Sequence, residues 1–140
     1  PSARAGGYGK AGMWQHVDEQ DAAVTVMAMI EDPEAVEVID DILAVKGLDG
    51  IFLGRGDLTV ALGAPSMTAP AVEGAVTKIL AAAGRAKKPA CVMVGNAVEA
   101  AAFAKRGASA FIVASDQGFM RQAATKTLDE FRAGGLAAKG

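Results

Sequence analysis

The chain has 140 residues, of which 51% are hydrophobic and 21% charged, enough for one globular domain and too apolar for a disordered chain. Its 14 basic and 16 acidic residues are scattered and give a formal net charge of −2, which excludes the basic surface of a nucleic-acid or anionic-membrane binder. A single cysteine, Cys91, cannot form an internal disulfide and lies in an apolar run, so we expect a buried thiol in a reducing, cytoplasmic protein. We expect neither a membrane span nor a signal peptide.

The predicted elements begin after residues 1–20, which read as a loop or the remnant of a preceding element. His16 lies in this polar segment, where we expect it to be solvated or locally hydrogen-bonded. Beyond it, four short apolar runs rich in β-branched residues predict strands over 23–30, 49–54, 90–95 and 109–114. Continuous apolar runs of this length are typical of parallel strands that are covered on both faces.

A helical pattern follows each strand. Asp32 and Pro33 predict the start of the first helix and Gly47 its end; the second is predicted over Pro70 to Ala83, with Gly84 past its end. The third begins at Asn96, where Glu99 completes a capping box, and stops at Gly107. The last is predicted from Phe119 to Arg132, and residues 133–140 are expected to fray. Its candidate core positions are Phe119, Ala123, Leu128 and Phe131.

The order βαβαβαβα predicts an α/β fold with right-handed parallel crossovers. Four such units fit two architectures, a small open doubly wound sheet or half of an eight-stranded (β/α)8 barrel. Both place ligands at the carboxyl ends of the strands.

Two carboxylates follow consecutive strands at that end. Glu31 comes directly after the first strand, and Asp57 closes the segment Gly54-Arg55-Gly56-Asp57 after the second. Carboxylate oxygens are ligands for Mg²⁺ or Mn²⁺, and the absence of a suitable cysteine or histidine argues against zinc. The glycines let the backbone approach a ligand closely, so its amides are candidates for binding a carboxylate.

Plainer interpretations stand beside this one. Glu31 is also acceptable as part of a helix start, Asp57 as the cap of a short turn, and Arg55 as the surface partner of Asp57. The letters "RGD" at 55–57 match an adhesion tripeptide, but they follow a predicted buried strand and we expect no secretory signal, so we do not expect an adhesion role.

The segment "AVKGLDGIFLGRGDLTVALG" closely resembles the glycine-aspartate-leucine segment of the HpcH/HpaI aldolase family, the class II pyruvate aldolases. The stretch "VMAMIEDPEAVEVIDDIL" is similar to the strand and helix that precede it there, and "PACVMVGN" and "GASAFIVASD" match later strands. The resemblance covers about residues 20 to 132. It implies a (β/α)8 barrel of the TIM type, with this chain supplying about strands five to eight.

The resemblance also implies a site and a reaction. Glu31 and Asp57 correspond to the family's metal ligands, for Mg²⁺, Mn²⁺ or Co²⁺, and the backbone at Gly56 and Asp57 to its pyruvate-carboxylate site. The family reaction is reversible aldol cleavage between pyruvate, held as its enolate by the metal, and an aldehyde. Met29 stands where the family commonly has a substrate-contacting glutamine, and Arg55 stands where it often has proline. Both are candidate substrate-binding residues, Arg55 as a selector of acidic aldehyde or acyl partners, although it could also only face solvent. The proton-handling histidine and arginine belong to early strands, so no catalytic residue is identified in this chain.

Other functions stay open at this point. A related lyase acting on acyl-CoA esters would prefer those esters to free aldehydes, and a non-catalytic metal- or carboxylate-binding half barrel would not exchange the pyruvate methyl protons. A half barrel has two open sheet edges, so we expect the missing half or a second copy to pair with it. Family members are oligomers that pack the last helix on a neighbour, which implies an interface over Phe119 to Phe131.

Overall fold

Residues 3–135 are described by a computed structural model. In this range a short 3-10 segment, Arg4–Gly9, comes before the helices and strands. These are α1 Met13–Ala23, β1 Met27–Ile30, α2 Pro33–Glu37, α3 Ile39–Leu43, β2 Gly50–Leu53, α4 Arg55–Ala61, α5 Pro70–Ala86, β3 Ala90–Val94, α6 Ala97–Lys105, β4 Ala110–Val113 and α7 Asp116–Ala133.

The four strands form one parallel sheet in the order β1-β2-β3-β4, which confirms the predicted α/β alternation. Chain order and sheet order coincide, so the sheet has no point at which the strand order reverses. A doubly wound sheet needs such a reversal, whereas consecutive strands of a barrel do not. The architecture is consistent with part of an eight-stranded barrel.

Helices cover one face of this sheet. Alternate residues of each strand point to that face, and their largest members, among them Ile30, Ile51, Leu53 and Val92, are at most 1% exposed. Helix α5 lies at the centre and packs against α2, α3, α4 and β2. Its predicted inward positions Val72, Val76, Ile79 and Leu80 are buried.

The opposite face of the sheet is open among the described residues. Its side chains include Met27, Met29, Met93 and Ile112, which are between 41% and 53% exposed. Burying a methionine or isoleucine side chain stabilises a fold by about 1.5–3 kcal/mol. A group of such side chains exposed together on one face is therefore unusual for a solvent-facing protein surface. Cys91 on the same face is buried as predicted, and this burial raises the pKa of its thiol.

Several element predictions were wrong. Residues 13–23 form α1, which contains His16, so the loop alternative is wrong for residues 13–20, while the remnant of a preceding element stays a prediction. The predicted first helix is interrupted at Val38, a β-branched residue of low helix propensity. Helix α5 continues through Gly84 to Ala86, because burial of Ala82 and Ala83 offsets the roughly 1 kcal/mol cost of an interior glycine.

The last helix was predicted to contribute to the core and does not. No residue of α7 is buried, and Phe119, Leu128 and Phe131 are about half exposed at 54%, 49% and 56%. The helix itself begins at Asp116, three residues earlier than predicted, because the Ser115 hydroxyl accepts a hydrogen bond from the Gly118 amide. It ends at Ala133, and most of the predicted frayed tail, residues 136–140, lies outside the described range.

Candidate active site

Strand register places Glu31 beside the Gly54–Asp57 segment, at Gly54. Ile30 pairs with Leu53 at the ends of β1 and β2, so Glu31 and Gly54 follow at the same level of the sheet. A Cβ atom built on Gly54 would lie 2.8 Å from the Cβ of Glu31 and 3.1 Å from its Oε2. The half-buried Glu31 side chain therefore occupies the space that any other residue at position 54 would take.

Asp57 lies three residues further on, in the first turn of α4. The N-cap position of α4 is Gly54, so Asp57 lies inside the helix and is not the cap of a turn. The side chain is exposed and lines a cavity of about 490 Å³ at the carboxyl ends of β2 and β3. The residues around this cavity are Phe52, Leu53, Gly54, Arg55, Gly56, Asp57, Met67, Met93, Val94, Gly95, Glu99 and Ala114.

Gly56 also lines this cavity, and a Cβ built there would meet no atom within 4 Å. Room for a ligand thus exists directly against the backbone of α4's first turn, where helix amides lack partners within the helix. Met29 lies elsewhere, on the open face of the sheet and 53% exposed, and does not line the cavity.

Arg55 is placed differently from its neighbours. The alternative of a surface pair with Asp57 is wrong, since the guanidinium donates to Glu99 at 2.7 Å and to the Met93 carbonyl at 2.9 Å. Glu99 also accepts from the Gly95 amide at 2.8 Å, and these two donors hold the pKa of its carboxyl below the ordinary value. A carboxylate with such donors stays charged at neutral pH.

Glu99 lines the cavity, but the sequence predicted it only as part of the α6 helix cap. The N-cap half of the predicted capping box is confirmed, because the Asn96 side chain accepts from the Glu99 amide at 2.9 Å. The Glu99 carboxylate accepts from the amide of Gly95, one residue before the cap. Its link to Arg55 follows from the sheet order, which puts the segment after β2 beside the segment after β3. The remaining strand-end residues serve as helix caps, Asn96 for α6 and Ser115 for α7.

A site of two carboxylates is sparse for a metal centre. Within residues 3–135, no group of three or more His, Cys, Asp or Glu side chains is arranged to hold an ion. Mg²⁺ and Mn²⁺ nevertheless fit this donor set, since Mg²⁺ is commonly held by one or two carboxylates together with waters and substrate oxygens.

The family model for HpcH/HpaI aldolase/citrate lyase matches residues 4–123 of the chain. The chain belongs to this family. A 5-keto-4-deoxy-D-glucarate aldolase from Escherichia coli O6:H1 is 34% identical over 110 residues, which are 78% of this chain and 43% of that enzyme. The chain thus spans less than half the length of that relative, and its family members are aldolases and lyases.

Solved structures of the HpcH/HpaI family show the same fold. A HpcH/HpaI aldolase/citrate lyase family protein from Burkholderia cenocepacia J2315 is 27% identical with a TM-score of 0.82, over 93% of this chain and 50% of that one. A HpcH/HpaI aldolase from Desulfitobacterium hafniense DCB-2 is also 27% identical, with a TM-score of 0.77, over 89% of this chain and 49% of that one. No helix within residues 3–135 is long and apolar enough to cross a membrane.

Proposed function

We propose that this protein is a metal-dependent carbon–carbon lyase that joins or cleaves pyruvate and an aldehyde, as with a 4-hydroxy-2-oxoacid. The observation that carries the proposal is the contact of Glu31 with Gly54, which brings a carboxylate to the segment that ends in Asp57. The similarity to a 5-keto-4-deoxy-D-glucarate aldolase supports an aldehyde acceptor. We place the reaction in the cytoplasm, where a free buried cysteine such as Cys91 is ordinary.

Glu31 and Asp57 are the residues that would hold a divalent cation, Mg²⁺, Mn²⁺ or Co²⁺. When bound, the cation supplies a Lewis acid that stabilises the negative charge developing on the pyruvate ketone oxygen. Glu31 is half-buried against Gly54, so its carboxylate is oriented before any ligand arrives. The more exposed Asp57 faces the cavity from the first turn of α4.

We place the pyruvate carboxylate against the backbone of Gly56 and Asp57. The space beside Gly56 is open, and the first amides of α4 are free to donate to an anion. Met29 lies two residues before Glu31 on the open sheet face, and its contact with substrate stays a prediction.

The proton-handling groups are proposed to come from outside these strands. His16 lies in α1, which has no buried residue, and it does not line the cavity. We assign β1 to β4 to strands five to eight of a barrel, so that strands one to four supply the missing groups. The exposed apolar face at Met27, Met29, Met93 and Ile112 supports this assignment, because a closed barrel fills its interior with side chains.

We propose that the partner of this open face is the complementary four-stranded half of the barrel, since the chain matches about half of each family structure.

Helix α7, with Phe119 and Phe131 exposed, is proposed to pack on a second copy of the protein. Light scattering of the full gene product is expected to show an oligomer that Phe131→Asp weakens, because a charge is costly in an apolar interface. Monomers in both wild type and variant would contradict the interface.

The metal site is tested by titrating Mn²⁺ with and without oxalate, an analogue of the pyruvate enolate. We expect oxalate to tighten Mn²⁺ binding in wild type, and Asp57→Ala to abolish that effect, because the variant loses a ligand. Asp41→Ala is the matched control, an exposed aspartate on α3 away from the cavity. Equal behaviour of wild type and Asp57→Ala would refute the metal site.

A further inference from the structure

The Arg55 side chain is enclosed, although it belongs to the segment that carries Asp57. It is only 12% exposed, and its Nη2 atom lies 2.7 Å from Glu99 Oε1 and 2.9 Å from the Met93 carbonyl. The guanidinium also lies 4.5 Å above the ring of Phe103, which is 4% exposed. The Glu99 carboxylate neutralises the charge of this guanidinium, and the Phe103 ring stacks against it. The guanidinium is therefore not available to an acidic substrate unless its ion pair with Glu99 breaks.

The geometry of the sheet explains the contact with Met93. The Pro89 carbonyl accepts from Ile51 of β2 at 2.9 Å, whereas the Val94 carbonyl accepts from a residue after β4. Carbonyls alternate in direction along a strand, so that of Met93 faces the β2 side. At the level of Met93, β2 has already ended and Arg55 begins α4, so no backbone amide of β2 reaches the Met93 carbonyl. The Arg55 guanidinium donates to that carbonyl in its place.

Glu99 connects this arginine to a second strand-end segment. Its Oε1 accepts from Arg55, and its Oε2 accepts from the Gly95 amide at 2.8 Å. The Glu99 backbone is fixed in turn by the cap of α6, through the Asn96 side chain. One carboxylate therefore ties the segment after β2 to the segment after β3, and both segments line the cavity.

We propose that Arg55 and Glu99 form a positioning pair that holds the Gly54–Asp57 segment, and with it Asp57, against the segment after β3, and that Arg55 does not contact substrate. The effect on metal binding rests on the proposed function. The effect on the segment itself does not, and this separates the two in an experiment.

The test uses Arg55→Met, Glu99→Gln and the double variant in the full gene product. Amide hydrogen exchange is read at Leu58, whose amide makes the first hydrogen bond of α4 to Gly54 at 3.0 Å, and at Gly95. We expect each single variant to speed exchange at both amides by about tenfold, and the double variant to be no faster than the more severe single, because paired residues are not additive.

The Mn²⁺ titration with oxalate is repeated on the same variants. We expect each to weaken binding by about 10- to 100-fold, the range seen when partners behind metal ligands are removed, and Arg55→Lys to recover part of the loss. Arg106→Met is the matched control: this arginine also lies over Phe103, at 5.1 Å, but pairs with Glu73 and does not line the cavity. It is expected to leave exchange at Leu58 and Gly95 unchanged.

Each result decides one of the two proposals. Unchanged exchange at Leu58 and Gly95 in Arg55→Met overturns the positioning pair, even if Asp57-dependent Mn²⁺ binding is present. If Arg55→Met instead raises the KM for acidic aldehydes and leaves the KM for neutral aldehydes unchanged, Arg55 is a substrate selector. That result also overturns the positioning pair. Faster exchange without any oxalate-dependent Mn²⁺ binding in wild type supports the pair and refutes the proposed metal chemistry.

Discussion

Replacement of Gly54 by alanine is expected to weaken Mn²⁺ binding by about 100-fold and to lower the free energy of unfolding by about 1–3 kcal/mol. The added methyl would lie 2.8 Å from the Cβ of Glu31 and 3.5 Å from the Ile30 carbonyl. Neither neighbour is the free end of a flexible side chain, so relief requires that Glu31 or the end of β1 moves. Either movement takes the Glu31 carboxylate out of the position that a shared cation needs. Isothermal titration with Mn²⁺ and urea unfolding measure the two effects.

Gly56→Ala is the matched control, two residues along the same segment. A methyl at Gly56 meets no atom within 4 Å, so the free energy of unfolding is expected to stay at the wild-type value or rise by up to about 1 kcal/mol, because alanine favours a helix over glycine. Mn²⁺ binding without oxalate is expected to match wild type. Because Gly56 lines the cavity, the methyl is expected to weaken the effect of oxalate. Normal Mn²⁺ binding by Gly54→Ala would show that Glu31 is not a ligand.

Ile79→Ala in α5 is expected to reduce the free energy of unfolding by about 2–5 kcal/mol. Ile79 is fully buried in the helix that packs on α2, α3, α4 and β2, and truncation leaves a cavity between the helices and the sheet. A domain is commonly stable by only about 5–15 kcal/mol, so this loss is large. Urea unfolding of the full gene product, followed by circular dichroism, measures it.

Val98→Ala serves as the comparison for Ile79. Val98 is 81% exposed on α6, so its truncation is expected to change the free energy of unfolding by no more than about 0.5 kcal/mol. Similar losses in the two variants would contradict the central position of α5. Because α5 also packs on α4, Ile79→Ala is further expected to weaken Mn²⁺ binding through movement of Asp57.

Local patterns were sufficient for much of the fold. Short β-branched runs and capping residues predicted four strands and the helices that follow them. The spacing of apolar residues and the signals that end a helix depend only on residues close together in the sequence. The inward face of α5 was predicted for the same reason. The family was recognised from the spacing of glycines and acids around Asp57, and the family match over residues 4–123 confirms it.

The sequence by itself also determined which carboxylates lie at the strand ends, since parallel strands bring their carboxyl ends to one edge of the sheet. Only the tertiary structure decided what each side chain contacts. Arg55 and Glu99 are 44 residues apart, and nothing local to either shows that they meet. The exposure of Phe119 and Phe131 likewise could not be predicted from the spacing of apolar residues. An apolar stripe shows that a helix face needs a partner, but it does not show which part of the protein provides that partner.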